Sequence, residues 1–225
     1  MIDDLNFILV AGGSSSRFGG QNKLFQELDG LPVWLHAVRT FLPALSIDSL
    51  IIVTPPEARN EFAGLLFRYF PAASVIWADA GNHRGASVMA GLNAIKNQKT
   101  FVAIHDAARP LASVNLLQNL LAAARRHGGA IPGKKVSDTI KKTGPDGVVT
   151  AHIDRSHLWQ VETPQVFDLQ NLLIAYRQMG HLELTDDAAI FNAGGFECAV
   201  VPNLDDNTKI TYWADYARLR EKFEH

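Results

Sequence analysis

The sequence predicts an α/β domain built on a doubly wound, mainly parallel sheet. Short apolar runs of strand length alternate with amphipathic stretches of helix length. The runs are apolar throughout, as expected of strands covered on both faces. The first run, Phe7 to Val10, breaks at Gly12-Gly13 before small residues and two cations, Arg17 and Lys23. In doubly wound sheets, ligand loops sit at the carboxyl ends of strands in this way.

Each element follows from its residues. Glycine at Gly12-Gly13 lets the backbone turn sharply and approach a ligand with no Cβ in the way. Ser14 to Ser16 add small side chains and free N–H groups, so with Arg17 and Lys23 the loop forms a cradle for a polyphosphate. Pro32 to Leu42 reads as a helix with Pro32 in its first turn; Trp34, Val38, Phe41, Leu42 and Leu45 face inward. Ser49 to Thr54 is a second strand, ended by Pro55-Pro56, and Glu57 to Tyr69 a helix. Ser74 to Ala78 is a strand, and Arg84 to Lys96 a helix with Val88, Leu92 and Ile95 on one face. Thr100 to Ile104 is the fourth strand, and Val114 to Arg126 a helix with Leu117, Leu120, Leu121 and Ala124 inward.

After Gly128-Gly129 the rhythm breaks. Residues Lys134 to His152 are polar, and Gly144-Pro-Asp-Gly147 marks a turn between two short strands. An isolated hairpin is marginal in water. The expectation is therefore one domain over residues 1–225 with a protruding β-hairpin arm at about 132–155 that packs on a second copy, making a homodimer; the second reading is a surface excursion lying on its own domain. Leu158 to Phe167 returns to the body, and Gln170 to Gln178 is a helix. Thr185 reads as the N-cap of the next helix, with Asp186 and Asp187 in its first turn. Phe196 to Val201 is a late strand, Asp205 to Lys209 a loop, and Tyr212 to Phe223 the closing helix.

Composition excludes several classes. A net charge of -2 with no long basic run argues against a nucleic-acid partner. The apolar runs are too short to span a membrane, and Met1 to Leu5 lacks a signal-peptide layout, so a cytoplasmic protein is expected. The single Cys198 lies in an apolar run and reads as a buried structural thiol. The eight histidines are scattered without zinc spacing, and no nucleophile elbow is present. The loop matches neither the P-loop nor the dinucleotide fingerprint, because Lys23 precedes Leu24 and Ser14 stands at the second glycine.

The most specific string is Ile104-His-Asp-Ala-Ala-Arg-Pro110. Asp106 suits a magnesium ion bound through water, or a sugar hydroxyl; Arg109 suits a phosphate in a forked geometry. The bland alternative is an Asp106–Arg109 pair that only stiffens a turn. Arg84 and Ser87 open a helix after Gly81-Asn82-His83, where free N–H groups attract anions. There Ser87 either meets a base edge or only helps to cap the helix. Trp34, Trp159 and Trp213 read as core, and Lys134-Lys135 and Lys141-Lys142 as solvated faces of the arm.

Together these strings resemble the 2-C-methyl-D-erythritol 4-phosphate cytidylyltransferase family, whose fold is that of the nucleotide-diphospho-sugar transferases. The matching pieces are Ala11-Gly-Gly with Arg17 and Lys23, Arg84-Gly-Ala-Ser87, the His105–Pro110 string, Asp138-Thr139, Asp154-Arg155, Thr163-Pro-Gln165, Thr185-Asp186 and Asp206-Asn-Thr-Lys209-Ile-Thr211. The resemblance implies that CTP, held with magnesium or another divalent cation, is attacked at its α-phosphorus by the phosphate of methylerythritol phosphate. It implies that Arg17, Lys23, Arg155 and Lys209 are catalytic, and that Ala11, Gly12, Gly13, Gly81, Asn82, Arg84, Ser87, Asp106 and Ala107 bind CTP. Asp106, Arg109, Thr139, Arg155, Thr163, Thr185 and Lys209 would bind methylerythritol phosphate, Thr139 and Arg155 from the partner's arm, with magnesium near Asp106 and Asp206. The chain departs from the common pattern at Gly12, where alanine is frequent, at Asn82, where aspartate is, and at Asn22, where proline precedes the lysine.

Rival readings are a ribitol 5-phosphate cytidylyltransferase, a guanylyltransferase of molybdenum-cofactor synthesis, and a nucleotide-binding module without turnover. Ala108 favours methylerythritol phosphate over ribitol phosphate, the arm and Lys209 disfavour the guanylyltransferase, and the presence of both Arg17 and Lys23 disfavours the silent module.

Overall fold

The structure, a computed structural model, describes residues 1–13, 15–97, 99–180 and 185–223; Ser14 and the side chain of Ser16 lie outside the described residues. The chain opens with β1 (Leu5–Val10). Leu5, Phe7 and Leu9 point into one hydrophobic core and Ile8 into a second. That two-residue period with apolar side chains on both faces is why the run carries no polar alternation. A small hairpin, β2 (Glu27–Leu28) and β3 (Leu31–Pro32), leads into α1 (Val33–Phe41). Then come β4 (Leu50–Thr54), α2 (Arg59–Tyr69), β5 (Ile76–Asp79), α3 (Arg84–Asn93), β6 (Phe101–Asp106) and α4 (Val114–His127). After β7 (Gly129–Lys135), β8 (Ile140–Thr143) and β9 (Val149–Ile153) pair only with each other. The chain closes with β10 (Trp159–Val161), β11 (Gln165–Asp168), α5 (Leu169–Met179), α6 (Asp187–Ala193), β12 (Cys198–Pro202) and α7 (Trp213–Phe223).

Eight strands form the main sheet in the order β10-β7-β11-β6-β1-β4-β5, with β12 on the other edge of β7. The pairs β1–β4, β1–β6, β4–β5 and β7–β12 are parallel; β10 and β11 pair antiparallel. The chain runs outward from β1 through β4 to β5, then crosses back to β6 on the other side of β1. This reversal opens a crevice at the carboxyl ends of β1 and β6, where doubly wound sheets bind ligands. Helices α1, α2, α4 and α7 contribute to the first core, and α3, α5 and α6 to the second. Among the described residues, no helix is long and apolar enough to cross a membrane.

Several boundaries differ from the sequence expectation. The fourth strand runs on to Asp106, so His105 and Asp106 belong to β6 rather than following it; the β1 register, Leu9 to His105 and Val10 to Asp106, carries the ladder that far. Asp186, not Thr185, caps α6, its carboxylate accepting from the Ala189 N–H at 3.0 Å. Helix α3 ends at Asn93, short of Lys96. Residues 132–135 stay in the main sheet as part of β7, so the off-sheet hairpin is 140–153. At its tip the Gly147 N–H donates to the Gly144 carbonyl at 3.1 Å, and Gly147 takes φ 80, which glycine adopts without penalty. Trp34 is core, but Trp213 is half exposed and packs on the ligand loop. Cys198 is half-buried, and burial pushes its thiol up to about 12.

Candidate active site

A cleft of about 380 Å³ opens where β1 and β6 end. Its floor is the loop after β1. At Gly12 a Cβ would stand 2.6 Å from Ala80 Cβ, so no larger residue fits while the loops after β1 and β5 touch. Ser15 sits in the left-handed region at φ 52, and its hydroxyl accepts from the Lys23 N–H at 3.3 Å. Asn22 caps the following turn, its side-chain oxygen accepting from the Leu24 N–H at 3.1 Å. A proline at 22 would have no such group, so Asn22 supports the backbone that carries Lys23 by a local hydrogen bond. Phe18 is buried under Trp213 and Tyr216 of α7 at ring distances of 5.3 and 6.0 Å. The guanidinium of Arg17 lies 5.9 Å from the Tyr212 ring centre, within the range of a cation–π contact. The closing helix thus anchors the loop on one side, while Asn22 and Ser15 anchor it on the other.

The second wall comes from the start of α3. His83 caps this helix through Nδ1, which accepts from the Ala86 N–H at 3.2 Å. The Ser87 hydroxyl accepts from the Gly81 N–H at 3.1 Å and donates to the His83 carbonyl at 3.1 Å. Ser87 is 3% exposed, so its hydroxyl shapes the 81–83 loop from below. Asn82 and His83 are exposed on that loop and line the cleft.

Asp106 forms the third wall. Its backbone N–H donates to the Thr163 hydroxyl at 3.0 Å, and that hydroxyl pairs with His105 Nδ1 at 3.1 Å. The carboxylate meets Lys209 Nζ at 2.7 Å, Arg84 Nε at 3.4 Å and Arg109 Nε at 4.0 Å. Burial favours the neutral acid, but Arg84, Lys209 and Arg109 outweigh it and hold the carboxyl well below the usual carboxylate range. Lys209 arrives on a loop fixed at both ends of the Asn207–Ile210 turn. The Ile210 N–H donates to the Ala108 carbonyl at 2.9 Å, and the Arg109 guanidinium donates to the Asn207 carbonyl at 2.7 Å. Beneath it, Asn207 donates to the Glu162 carboxylate and to the Thr163 carbonyl at 3.1 and 2.8 Å. Across the cleft, Lys23 has its pKa lowered by burial first, then by Lys209 and Arg17.

Of the residues singled out from sequence, the cleft gathers Ala11, Gly12, Gly13, Arg17, Lys23, Gly81, Asn82, Arg84, Ser87, Asp106, Ala107 and Lys209. The others stand elsewhere. Thr163 is buried behind Asp106, and Arg109 is directed at Asn207. Thr139 and Arg155 are exposed near the hairpin and do not line the cleft of their own chain. Thr185 is exposed one residue before the α6 cap. Asp206, expected beside magnesium, lies outside the cleft: it accepts from the Thr208 N–H at 3.1 Å and contacts Lys222 of α7. Ser15 of the expected cradle, and His83, Ala108 and Thr211 of the quoted strings, also line the cleft. Sequence reasoning missed Leu24 in the lining and the pairing of Asp187 with Arg84. For Asp187 the only available signal was an acid in an otherwise apolar helix turn.

A divalent cation would find one carboxylate here, Asp106, since no cluster of three or more metal-ligating side chains occurs among the described residues. That donor set suits magnesium, which commonly takes one or two carboxylates and completes its shell with substrate phosphates and water.

The chain matches the family model described as IspD, 2-C-methyl-D-erythritol 4-phosphate cytidylyltransferase, over residues 5–222. It is 39% identical over 222 residues to the 2-C-methyl-D-erythritol 4-phosphate cytidylyltransferase of Symbiobacterium thermophilum, covering 96% of this chain and 91% of that one. It is 34% identical over 218 residues to the bifunctional enzyme IspD/IspF of Rhodospirillum rubrum, covering 96% of this chain but only 56% of the longer protein. Among solved structures, the 2-C-methyl-D-erythritol 4-phosphate cytidylyltransferase of Thermus thermophilus superposes with a TM-score of 0.77 at 26% identity, covering 97% of this chain and 98% of that one. The 4-diphosphocytidyl-2C-methyl-D-erythritol synthase of Anaerococcus prevotii shares the fold with a TM-score of 0.83 at 24% identity, covering 98% of each chain.

Proposed function

This chain belongs to the 2-C-methyl-D-erythritol 4-phosphate cytidylyltransferase family, and on that premise we propose that its cleft joins CTP to 2-C-methyl-D-erythritol 4-phosphate. A phosphate oxygen of the polyol phosphate attacks the α-phosphorus of CTP. The new P–O bond gives 4-diphosphocytidyl-2-C-methyl-D-erythritol, the bond from the α-phosphorus to the β-phosphate bridging oxygen breaks, and pyrophosphate leaves with that electron pair. A phosphate monoester has a second pKa near ~6, so the nucleophile is ionised at neutral pH and no general base is required. This agrees with a cleft in which the one carboxylate among the described lining residues, Asp106, is bound to cations. The work left to the protein is alignment and stabilisation of developing charge.

The observation that carries the reading is the convergence of Arg17, Lys23, Arg84 and Lys209 on one cleft at the end of β1. Arg17 and Lys23 take the triphosphate and the charge that grows on its α- and β-oxygens. Gly12, Gly13 and Ala11 let the nucleotide approach the backbone, and Gly81, Asn82 and Ser87 form the wall against cytosine. Arg84 and Ala107 complete the CTP side. Lys209 and Arg109 hold the polyol phosphate, with Thr163 and Thr185 at its margin. Asp106 would hold a divalent cation, which would supply charge neutralisation of the triphosphate. Thr139 and Arg155 reach the polyol phosphate of a second copy through the 140–153 hairpin, which makes the enzyme a homodimer with shared sites. Both are exposed and neither lines the cleft of its own chain, which supports this arrangement.

The test is to incubate the protein with CTP, magnesium and each polyol phosphate in turn, and to measure pyrophosphate. Release with methylerythritol phosphate supports the proposal. Release only with ribitol 5-phosphate assigns the other polyol, and no release with any pair leaves a binding protein without turnover.

A further inference from the structure

A second carboxylate stands behind the cleft wall and touches no part of the cleft surface. Asp187, the first residue of α6, is 0% exposed. One of its oxygens accepts from the Arg84 guanidinium at 2.7 Å, and the other from the Tyr176 hydroxyl at 2.5 Å. Arg84 is thereby shared: its NH2 faces Asp187, and its Nε faces Asp106 at the longer distance of 3.4 Å. The contacts form a single line from Tyr176 of α5 through Asp187, Arg84 and Asp106 to Lys209 on the late loop.

The two ends of that line are unequal. A fully buried carboxylate without its cation is strongly unfavourable, so Asp187 holds Arg84 whatever enters the cleft. Asp106 is at the cleft surface, and its contact with Arg84 is the longer one, so it can exchange partners. Without Asp187, the guanidinium would have Asp106 as its one ion-pair partner among the described residues, and would compete there with Lys209. Tyr176 fixes the remaining oxygen of Asp187 and so sets the direction from which Arg84 is gripped. Burial favours the neutral guanidine, but Asp187 and then Asp106 outweigh it and keep Arg84 charged.

We propose that Asp187, oriented by Tyr176, is a positioning residue that holds Arg84 as the fixed cation of the CTP site and leaves Asp106 free to change partners on ligand binding. The proposal rests on the reading of this cleft as the CTP site. It differs from a purely structural tie between α6 and α3 in what it requires of the folded protein. A tie affects unfolding alone, whereas a positioning residue also affects nucleotide affinity.

The experiment measures CTP binding by calorimetry without the polyol phosphate, and thermal unfolding, for Asp187→Asn, Tyr176→Phe, Arg84→Ala and the Arg84→Ala/Asp187→Asn double variant. Asp187→Asn is expected to weaken CTP about tenfold, and Tyr176→Phe about threefold, because the grip is lost in the first and loosened in the second. In the Arg84→Ala background, Asp187→Asn is expected to cost no further affinity and to raise the unfolding temperature, since it removes a buried charge with no cation. Asp187→Asn with a lowered unfolding temperature and wild-type CTP affinity would overturn the proposal. So would additive losses of affinity in the double variant. Should Asp187→Asn fail to fold, Tyr176→Phe decides: unchanged CTP affinity in that variant overturns the proposal. Wild-type CTP binding by Arg84→Ala instead sinks the reading of the cleft on which it rests.

Discussion

Acidification should undermine the wall that carries Asp106 through His105, one residue before it. His105 is 0% exposed in β6, with the rings of Phe7 and Phe41 centred 5.8 and 5.5 Å away. Its Nε2 faces the Arg109 carbonyl at 3.1 Å, which can only accept, so Nε2 carries the proton. Nδ1 then accepts from the Thr163 hydroxyl at 3.1 Å, and the same hydroxyl oxygen receives the Asp106 N–H at 3.0 Å. A second proton on Nδ1 would displace that hydroxyl hydrogen and leave a charge in an apolar setting. Burial therefore pushes His105 down to about 4 from 6.5, the pull of Asp106 notwithstanding. The folded state binds fewer protons than the unfolded chain between those values. Stability is thus complete above pH 6.5 and falls as the pH drops toward 4. At ~1.4 kcal/mol per tenfold, the whole displacement is worth about 3 kcal/mol, of which about 2 kcal/mol is lost by about pH 5. Urea unfolding at about pH 7.5 and about pH 5 measures it, with His105→Gln as the comparison: its amide can still donate to Arg109 but does not titrate. The variant should be less stable at neutral pH and lose less stability on acidification. His36 is also buried with a lowered pKa and leaves a residual slope in both proteins. Equal slopes in wild type and His105→Gln would refute the reasoning.

Three further outcomes are expected. Arg17→Ala and Lys23→Ala should each lower kcat about 100-fold or more while weakening CTP binding far less, because their charge matters most in the transition state; equal losses in kcat and in CTP affinity would exclude that role. Gly81→Ala should weaken CTP binding with little change at the triphosphate end, since its Cβ would collide with Ala86, whose carbonyl carbon lies 3.0 Å away, and push the 81–83 loop off Ser87. Calorimetry with CTP and with pyrophosphate separates the two ends. Mixing Lys23→Ala with Arg155→Ala should restore activity that neither variant has alone, because a mixed dimer would contain one intact shared site; a mixture as inactive as its parts, or a single-chain mass by light scattering, removes the shared site.

Much of this was legible in the sequence because the information was local. The strands announced themselves by apolar runs bounded by glycine and proline, and the loop after β1 by the abrupt change from Val10 to Gly12. Arg17, Lys23 and Asp106 stand out by their chemistry at strand ends and Lys209 by the family resemblance, and the cleft brings the four together. What escaped was set by contacts between distant segments. Whether β6 ends at Ile104 or Asp106 depends on its ladder with β1, not on its own residues. Trp213 looks like core in a helical pattern, yet its ring rests on Phe18, nearly the whole chain away. Asp187 reads as an ordinary first-turn acid until α6 folds against α3 and delivers it to Arg84, 103 residues earlier. The resemblance alone pointed to Thr163; that its hydroxyl also receives the Asp106 N–H depends on the pairing of β11 with β6, which no local pattern announces.

The charges of the cleft divide into two kinds, and the division suggests how a protein with net charge -2 handles a triphosphate. Arg84 is held by the buried Asp187 and Lys209 meets Asp106, so part of the field of each is already offset. Arg17 and Lys23 have no ion-pair partner among the described residues; Arg17 rests over Tyr212, and Lys23 is held to a lowered pKa by burial and by Lys209 and Arg17. A cation whose field a carboxylate partly offsets responds less to charge that appears only in the transition state, so it contributes more to alignment than to lowering the barrier. Cations under mutual repulsion gain most when negative charge concentrates beside them, as it does when the α-phosphorus gains a fifth oxygen and pyrophosphate begins to leave. Lys23 also resists losing its proton more strongly as that charge grows, so the group strengthens as a cation at the moment it is needed. On this argument the loop after β1 acts on the rate, and the line from Tyr176 to Lys209 acts on the alignment that the rate presupposes.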